Sequence, residues 1–198
     1  MPFTIHKEPT DTWSGDDAIH YAQQFNFTPE ELDAHWVKEF GCTRTSIYNK
    51  FLPKDKGANI LEVGCNCANQ IVMLNGLGYA LTTGVEIGKE AVAIARKRNE
   101  NHDIIQGDAT EGLPFNDNSH DLVMTCACLS HIPPDKVQAV VTELRRVSKH
   151  QVLISEYTAG DMQNFCWLHD YNKLFGDALK LDEESVPNGK IVTQLWMP

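Results

Sequence analysis

The chain has 198 residues, 42% of them hydrophobic and 22% charged, with a formal net charge of −10. That length and balance predict one globular domain with a real core. The negative surface disfavours a nucleic-acid backbone or an anionic membrane as partner, and no apolar run reaches the ~18 residues of a bilayer span.

The N-terminus starts Met1-Pro2-Phe3-Thr4 and stays polar, without the apolar segment of a signal peptide, so a cytoplasmic location is expected. Residues 1–57 read as a helical N-terminal extension. Thr28-Pro29-Glu30-Glu31 is a helix start, with a Thr cap, Pro in the first turn and acids near the positive helix end. Leu32, Trp36, Val37 and Phe40 follow at helical spacing, and Gly41 can end the helix. A second helix runs from Arg44 to Leu52 and stops at Pro53.

From Ala58 the pattern changes to short apolar strands alternating with amphipathic helices. Strands are expected at Asn59–Gly64, Leu81–Ile87, His102–Gly107, His120–Cys126 and Gln151–Tyr157, and helices at Lys89–Asn99 and Pro134–Ser148. Lys190–Trp196 reads as one more strand, antiparallel and at the sheet edge. Residues 58–157 therefore form an α/β core, a Rossmann-like doubly wound, mostly parallel sheet with helices on both faces. Residues 158–198 complete the sheet. Arg96-Lys97-Arg98 and Arg145-Arg146 fall on the expected helices, where a solvated basic face is the simpler reading than an anion site.

Ligands of such sheets bind beyond the carboxyl ends of the strands, near the switch in strand order. The first strand ends in Glu62-Val63-Gly64-Cys65-Asn66-Cys67-Ala68-Asn69. Gly64 permits close approach of a ligand to the backbone, although an ordinary strand-to-helix turn would also use it. A dinucleotide loop would place further glycines where Asn66 and Asn69 stand, so this loop suits a ligand without a pyrophosphate. Glu86 ends the second strand 22 positions after Gly64, the place from which an acid holds ribose hydroxyls. Asp108, after the third strand, can accept the exocyclic amine of an adenine, with small Ala109 beside it; it can also cap the next turn. His131 follows the fourth strand and suits a general base, or else a structural role before Pro133. The Cys65/Cys67 and Cys126/Cys128 pairs have Cys-x-Cys spacing, which favours reduced thiols over a zinc site.

The ordered set Glu62-x-Gly64, Glu86, Gly107-Asp108, Leu113-Pro114-Phe115, Asp121-Leu122-Val123 and Leu129-x-His131-Ile132 resembles the class I S-adenosylmethionine (SAM)-dependent methyltransferases. A narrower likeness carries beyond that core. Trp36-x-x-Glu39-Phe40-Gly41, Asn49, Val63 to Asn69, Glu86-Ile87, Leu113-Pro114-Phe115-x-Asp117-Asn118-Ser119, Leu129-x-His131-Ile132-x-Pro134 and Ile154-Ser155-Glu156-Tyr157 resemble the methylases associated with pseudaminic acid biosynthesis. The chain departs from that group at Ala68, where glycine is usual, and in a tail without an Arg-rich stretch.

The resemblance implies SAM as cofactor and methyl transfer to a small molecule, a sugar or nonulosonic-acid-related metabolite. It implies cofactor contacts from Glu62, Gly64, Cys65, Asn66, Asn69, Glu86, Ile87, Asp108, Ala109 and Cys126, the last lining the methionine end. His131 or Glu156 is then expected near the acceptor, with Trp36, Tyr48 and the other N-terminal residues closing over the site, in a monomer or homodimer without a metal. Two other classes fit less of the pattern: a non-catalytic SAM-binding protein and a nucleotide-dependent oxidoreductase.

Overall fold

The computed structural model describes residues 13, 16–100, 102–159 and 166–198. Residues 1–12 of the expected N-terminal extension, with the polar start of the chain, and 160–165 of the expected C-terminal segment lie outside the described residues. Among the described residues three longer helices precede the sheet: α1 (Asp16–Gln24), α2 (Pro29–Phe40) and α3 (Arg44–Phe51). The start of α2 is a reciprocal cap. Thr28 Oγ1 accepts from Glu31 N at 3.2 Å, and Glu31 Oε2 accepts from Thr28 N at 2.8 Å. Gly41 ends α2 in the left-handed region, φ 83°. The buried stripe of α2 is Leu32, Trp36 and Phe40; Val37, read as part of it, is half exposed because it lies a turn-fraction off that line.

The sheet then builds as β1 (Ile60–Val63), α4 (Asn69–Gly76), β2 (Thr82–Glu86), α5 (Lys89–Arg98), β3 (Asp103–Gln106), β4 (His120–Cys126), α6 (Val137–Val147), β5 (Ser148–Tyr157), α7 (Tyr171–Phe175), β6 (Leu179–Ser185) and β7 (Ile191–Met197). Spatial order is β3-β2-β1-β4-β5-β7-β6, with β1 to β5 parallel and β7 antiparallel to both neighbours. β7 is antiparallel as expected but lies inside the sheet. The edge on that side is β6, where Leu179 to Glu183 are exposed on both faces and so carry no burial pattern to read.

Alternation along β1 sends Ile60 to one face and Leu61 to the other. On the first face α2, α3 and α4 pack through Trp36, Ile47, Phe51 and Leu74 against Ile60, Leu122, Met124 and Leu153. On the second, α6 lays Val137, Val140, Val141, Leu144 and Val147 on Leu61, Val123, Val152 and Ile154. Each such side chain contributes roughly 1.5–3 kcal/mol of burial. Among the described residues no helix is long and apolar enough to cross a membrane.

The chain leaves β3 at one side of β1 and returns as β4 on the other, so strand order reverses between β1 and β4. In register, Val63 pairs with Val85 and Glu86 with Gln106. Gly64 therefore stands level with Glu86, and Ile87 with Gly107, where the chain leaves the sheet.

Candidate active site

The loop after β1 holds an unusual backbone. Gly64 (φ 75°), Asn66 (φ 46°) and Ala68 (φ 60°) all lie in the left-handed region. Glycine enters it freely and asparagine readily, whereas alanine there costs about 1–2 kcal/mol. Ala127, in the loop after β4, is left-handed too, with φ 51°. Strain of this kind collects at functional sites. The two loops touch: a Cβ at Gly64 would lie 2.3 Å from Cys128 Sγ and 2.7 Å from Cys128 Cβ.

Glu86 locks the loops after β1 and β2 together. Its Oε2 accepts from Asn66 N and its Oε1 from Gly88 N, each at 2.8 Å. Burial pushes its carboxyl above the usual range, while those amides pull the other way. Asp108 caps the 3-10 turn Ala109–Glu111, its Oδ1 accepting from Thr110 N and Thr110 Oγ1 at 2.8 Å.

After β4 comes the 3-10 turn Leu129–His131. Glu156 of β5, fully buried, organises it by accepting from Thr125 Oγ1 (2.8 Å), Cys128 N (3.0 Å), Leu129 N (3.2 Å) and Ser130 N (3.3 Å). Burial raises its carboxyl, against the pull of these donors. His131 leaves this turn with its ring edge-on to Trp13, centroids 4.8 Å apart.

These loops line a half-open cleft. Of the residues expected at the site, it brings together Gly64, Asn66, Glu86, Ile87, Asp108, Ala109, Cys126 and His131. Four others stand behind it. Glu62 is buried beneath the loop, its Oε2 without a hydrogen-bond partner. Cys65 packs with Ala68, Ile71, Val92 and Ile104. Asn69 accepts from Phe27 N (3.0 Å) and Arg98 Nη1 (2.7 Å) and donates to Phe25 O (2.6 Å), tying the α1–α2 link to the start of α4. Glu156 holds the turn rather than lining the cleft.

Trp36 and Tyr48 do not close over the cleft. Both are core residues, and the Arg44 guanidinium sits 4.7 and 4.4 Å from their ring centroids. Of the other N-terminal residues expected there, Trp13, Ala18 and Tyr21 do line it. Ala18, Tyr21, Ala22 and Phe25 recur at helical spacing, the one signal that could have revealed α1.

The residues present fit a nucleoside sulfonium. Gly64 lets the loop after β1 lie against Cys128, and Glu86 is fixed before any ligand arrives. Among the described lining residues there are three carboxylates, Glu86, Glu90 and Asp108, and no lysine or arginine. Such a lining suits a positive ligand and not a pyrophosphate.

Residues 60–151 match the sequence family described as a methyltransferase domain. No curated protein matches the chain by sequence. Among solved structures, a SAM-dependent methyltransferase of Aquifex aeolicus superposes with a TM-score of 0.72 at 13% identity, over 90% of this chain and 97% of that one. A protein of Pyrococcus horikoshii OT3 gives 0.71 at 17%, over 90% and 98%. The magnesium protoporphyrin IX methyltransferase of Synechocystis PCC 6803, solved with bound SAM, gives 0.69 at 13%, over 98% and 99%. Family match and fold agree with the cleft's chemistry: residues 60–151 are similar to a methyltransferase domain, and the chain has the class I methyltransferase fold.

Proposed function

We propose that this protein is a SAM-dependent methyltransferase, that it methylates a small molecule bound on the His131 side of the cleft, and that the acceptor is a sugar or nonulosonic-acid-related metabolite. The resemblance to pseudaminic acid-associated methylases supports the acceptor class. A concave site walled by Trp13, Tyr21 and His131 supports a small molecule over a polymer.

Glu86 holds the ribose hydroxyls, Asp108 takes the adenine amine beside Ala109, and Ile87 packs against the base. Gly64, Asn66 and Cys126 offer backbone to the methionine portion. Glu62, Cys65 and Asn69 act from behind, by supporting that loop. The sulfonium supplies an already activated methyl group. The protein's task is then placement, worth ~7–11 kcal/mol when two reactants are held in a near-attack arrangement. His131 meets the acceptor, and Glu156 acts as a positioning residue by holding the turn that carries it.

The observation that carries this reading is Glu86, its carboxylate bracketed by Asn66 N and Gly88 N at the switch in strand order. Hydrogen bonds to a charged partner contribute about 1.5–3 kcal/mol each. Glu86→Ala should therefore weaken SAM binding by roughly 100-fold in calorimetry. An unchanged affinity would dismiss the cofactor assignment. For the acceptor class, release of S-adenosylhomocysteine is measured against a panel of sugars and nonulosonic acids; turnover confined to other chemistry removes that part of the proposal.

A further inference from the structure

Trp13, which lines the cleft, touches both of its sides. Its ring stands edge-on to His131, in the loop after β4, with centroids 4.8 Å apart, and edge-on to Tyr21 of α1 at 5.2 Å. Its backbone oxygen lies over Gly88, between β2 and α5. β2 and β4 flank β1 in the sheet, so Trp13 reaches from one side of the Gly64 loop to the other. The later part of α1 is fastened to the core and forms the fixed post beside it. Cys67 Sγ donates to Ala22 O at 3.1 Å, and Asn69 Nδ2 to Phe25 O at 2.6 Å.

The sequence records this contact in Gly88. Its φ of −73° is open to any residue, so the backbone does not call for glycine. Space does. A Cβ at Gly88 would lie 2.9 Å from Trp13 O and 3.2 Å from Glu86 Oε1. The first of these is a backbone atom, so the chain at Trp13 would have to move off its seat. Gly88 N also donates to Glu86 Oε1 at 2.8 Å. The seat of Trp13 therefore adjoins the carboxylate read above as the ribose anchor.

We propose that Trp13 is a clasp over the cofactor: seated on Gly88 and leaning on His131, it lies across bound SAM and must lift before the cofactor enters or its demethylated product leaves. The inference rests on the methyltransferase reading above. A clasp differs from a wall in what it does to rates. A wall residue that touches the cofactor slows release alone. A clasp slows entry as well, because it has to lift in both directions.

The test needs no acceptor. Association and release of radiolabelled S-adenosylhomocysteine are followed by rapid mixing on the full chain, on Trp13→Ala, Trp13→Phe and Gly88→Ala, and on the Trp13→Ala/Gly88→Ala double variant. Losing both edge-on ring contacts in Trp13→Ala should speed release by about 5- to 150-fold, and association should rise in the same variant. Trp13→Phe, which keeps a ring, should fall between. Gly88→Ala leaves every ring in place and should also speed both steps. In the double variant the second change should add little, because both open one clasp. Faster release with association unchanged makes Trp13 a wall and overturns the clasp. A Gly88→Ala effect that persists in full beside Trp13→Ala overturns it too, since that effect then runs through Glu86 alone. Failure of the unmodified chain to bind S-adenosylhomocysteine refutes the cofactor site and this proposal with it. Normal binding at rates that no variant moves refutes the clasp alone.

Discussion

Gly64→Ala probes the contact on which the cleft is built. An alanine at φ 75° costs about 1–2 kcal/mol from backbone strain. Its Cβ would also lie 2.3 Å from Cys128 Sγ and 2.7 Å from Cys128 Cβ, so the loops after β1 and β4 must part. Overpacking of this kind costs about 1–3 kcal/mol, which gives ~2–5 kcal/mol in all. Urea denaturation should record that loss, and calorimetry a weakened affinity for SAM. The two contributions separate in a double-mutant cycle. In a Cys128→Gly background both clashing atoms are gone, and Gly64→Ala should cost only the backbone part, about 1–2 kcal/mol. Cys128→Ala keeps the Cβ and should fall between. If Gly64→Ala costs the same in all three backgrounds, the two loops do not depend on each other and the reasoning fails.

Burial pushes the Glu62 carboxyl well above its usual value, with Glu86 adding to the shift and Arg44 opposing it. A raised value in the folded state means that the fold favours the neutral acid. Its contribution is intact below the unfolded value of about 4.3 and is lost as pH rises through the folded one. Glu62→Gln should therefore lose less stability than the unmodified chain between about pH 5 and about pH 8. A variant weaker by about 3–5 kcal/mol at the upper end would instead reveal an ionised partner of Arg44. Arg98 donates to Cys67 O at 2.6 Å and Asn69 Oδ1 at 2.7 Å, and to Phe27 O. Arg98→Ala should lower stability by about 2–4 kcal/mol and raise amide exchange through α1; unchanged exchange there would show that the link is dispensable. Glu156→Gln replaces an acceptor of three backbone amides by a group with only one accepting oxygen. It should cost about 1–3 kcal/mol and reduce turnover while SAM affinity holds, and full turnover would exclude Glu156 from any part in placing His131.

The parallel core was legible because its strands are buried on both sides. Asn59–Val63 and Gln151–Tyr157 carry enough apolar residues to announce themselves, and each loop after a strand then points to the cleft. Gly64, Asn66, Glu86, Ile87, Asp108, Ala109, Cys126 and His131 reach the cleft by that rule alone. It errs by one step for residues whose side chain turns away from it. Glu62 lies within β1 and Cys65 faces α5, because successive positions along a strand alternate. Trp36 and Tyr48 mislead for another reason. A large aromatic near a site fits a lid or a core equally well, and only the tertiary packing around Arg44 decides. Trp13 was not singled out, since its role depends on partners far along the chain, Gly88 and His131.

The placing of β7 has a consequence for how the molecule comes into being. Residues Val152 to Tyr157 find their second set of partners only in Ile191 to Trp196. Until those residues leave the ribosome, one flank of β5 remains a bare row of amides and carbonyls. A chain cut before Ile191 would keep that flank open and should aggregate edge to edge, although every residue lining the cleft would already have been synthesised.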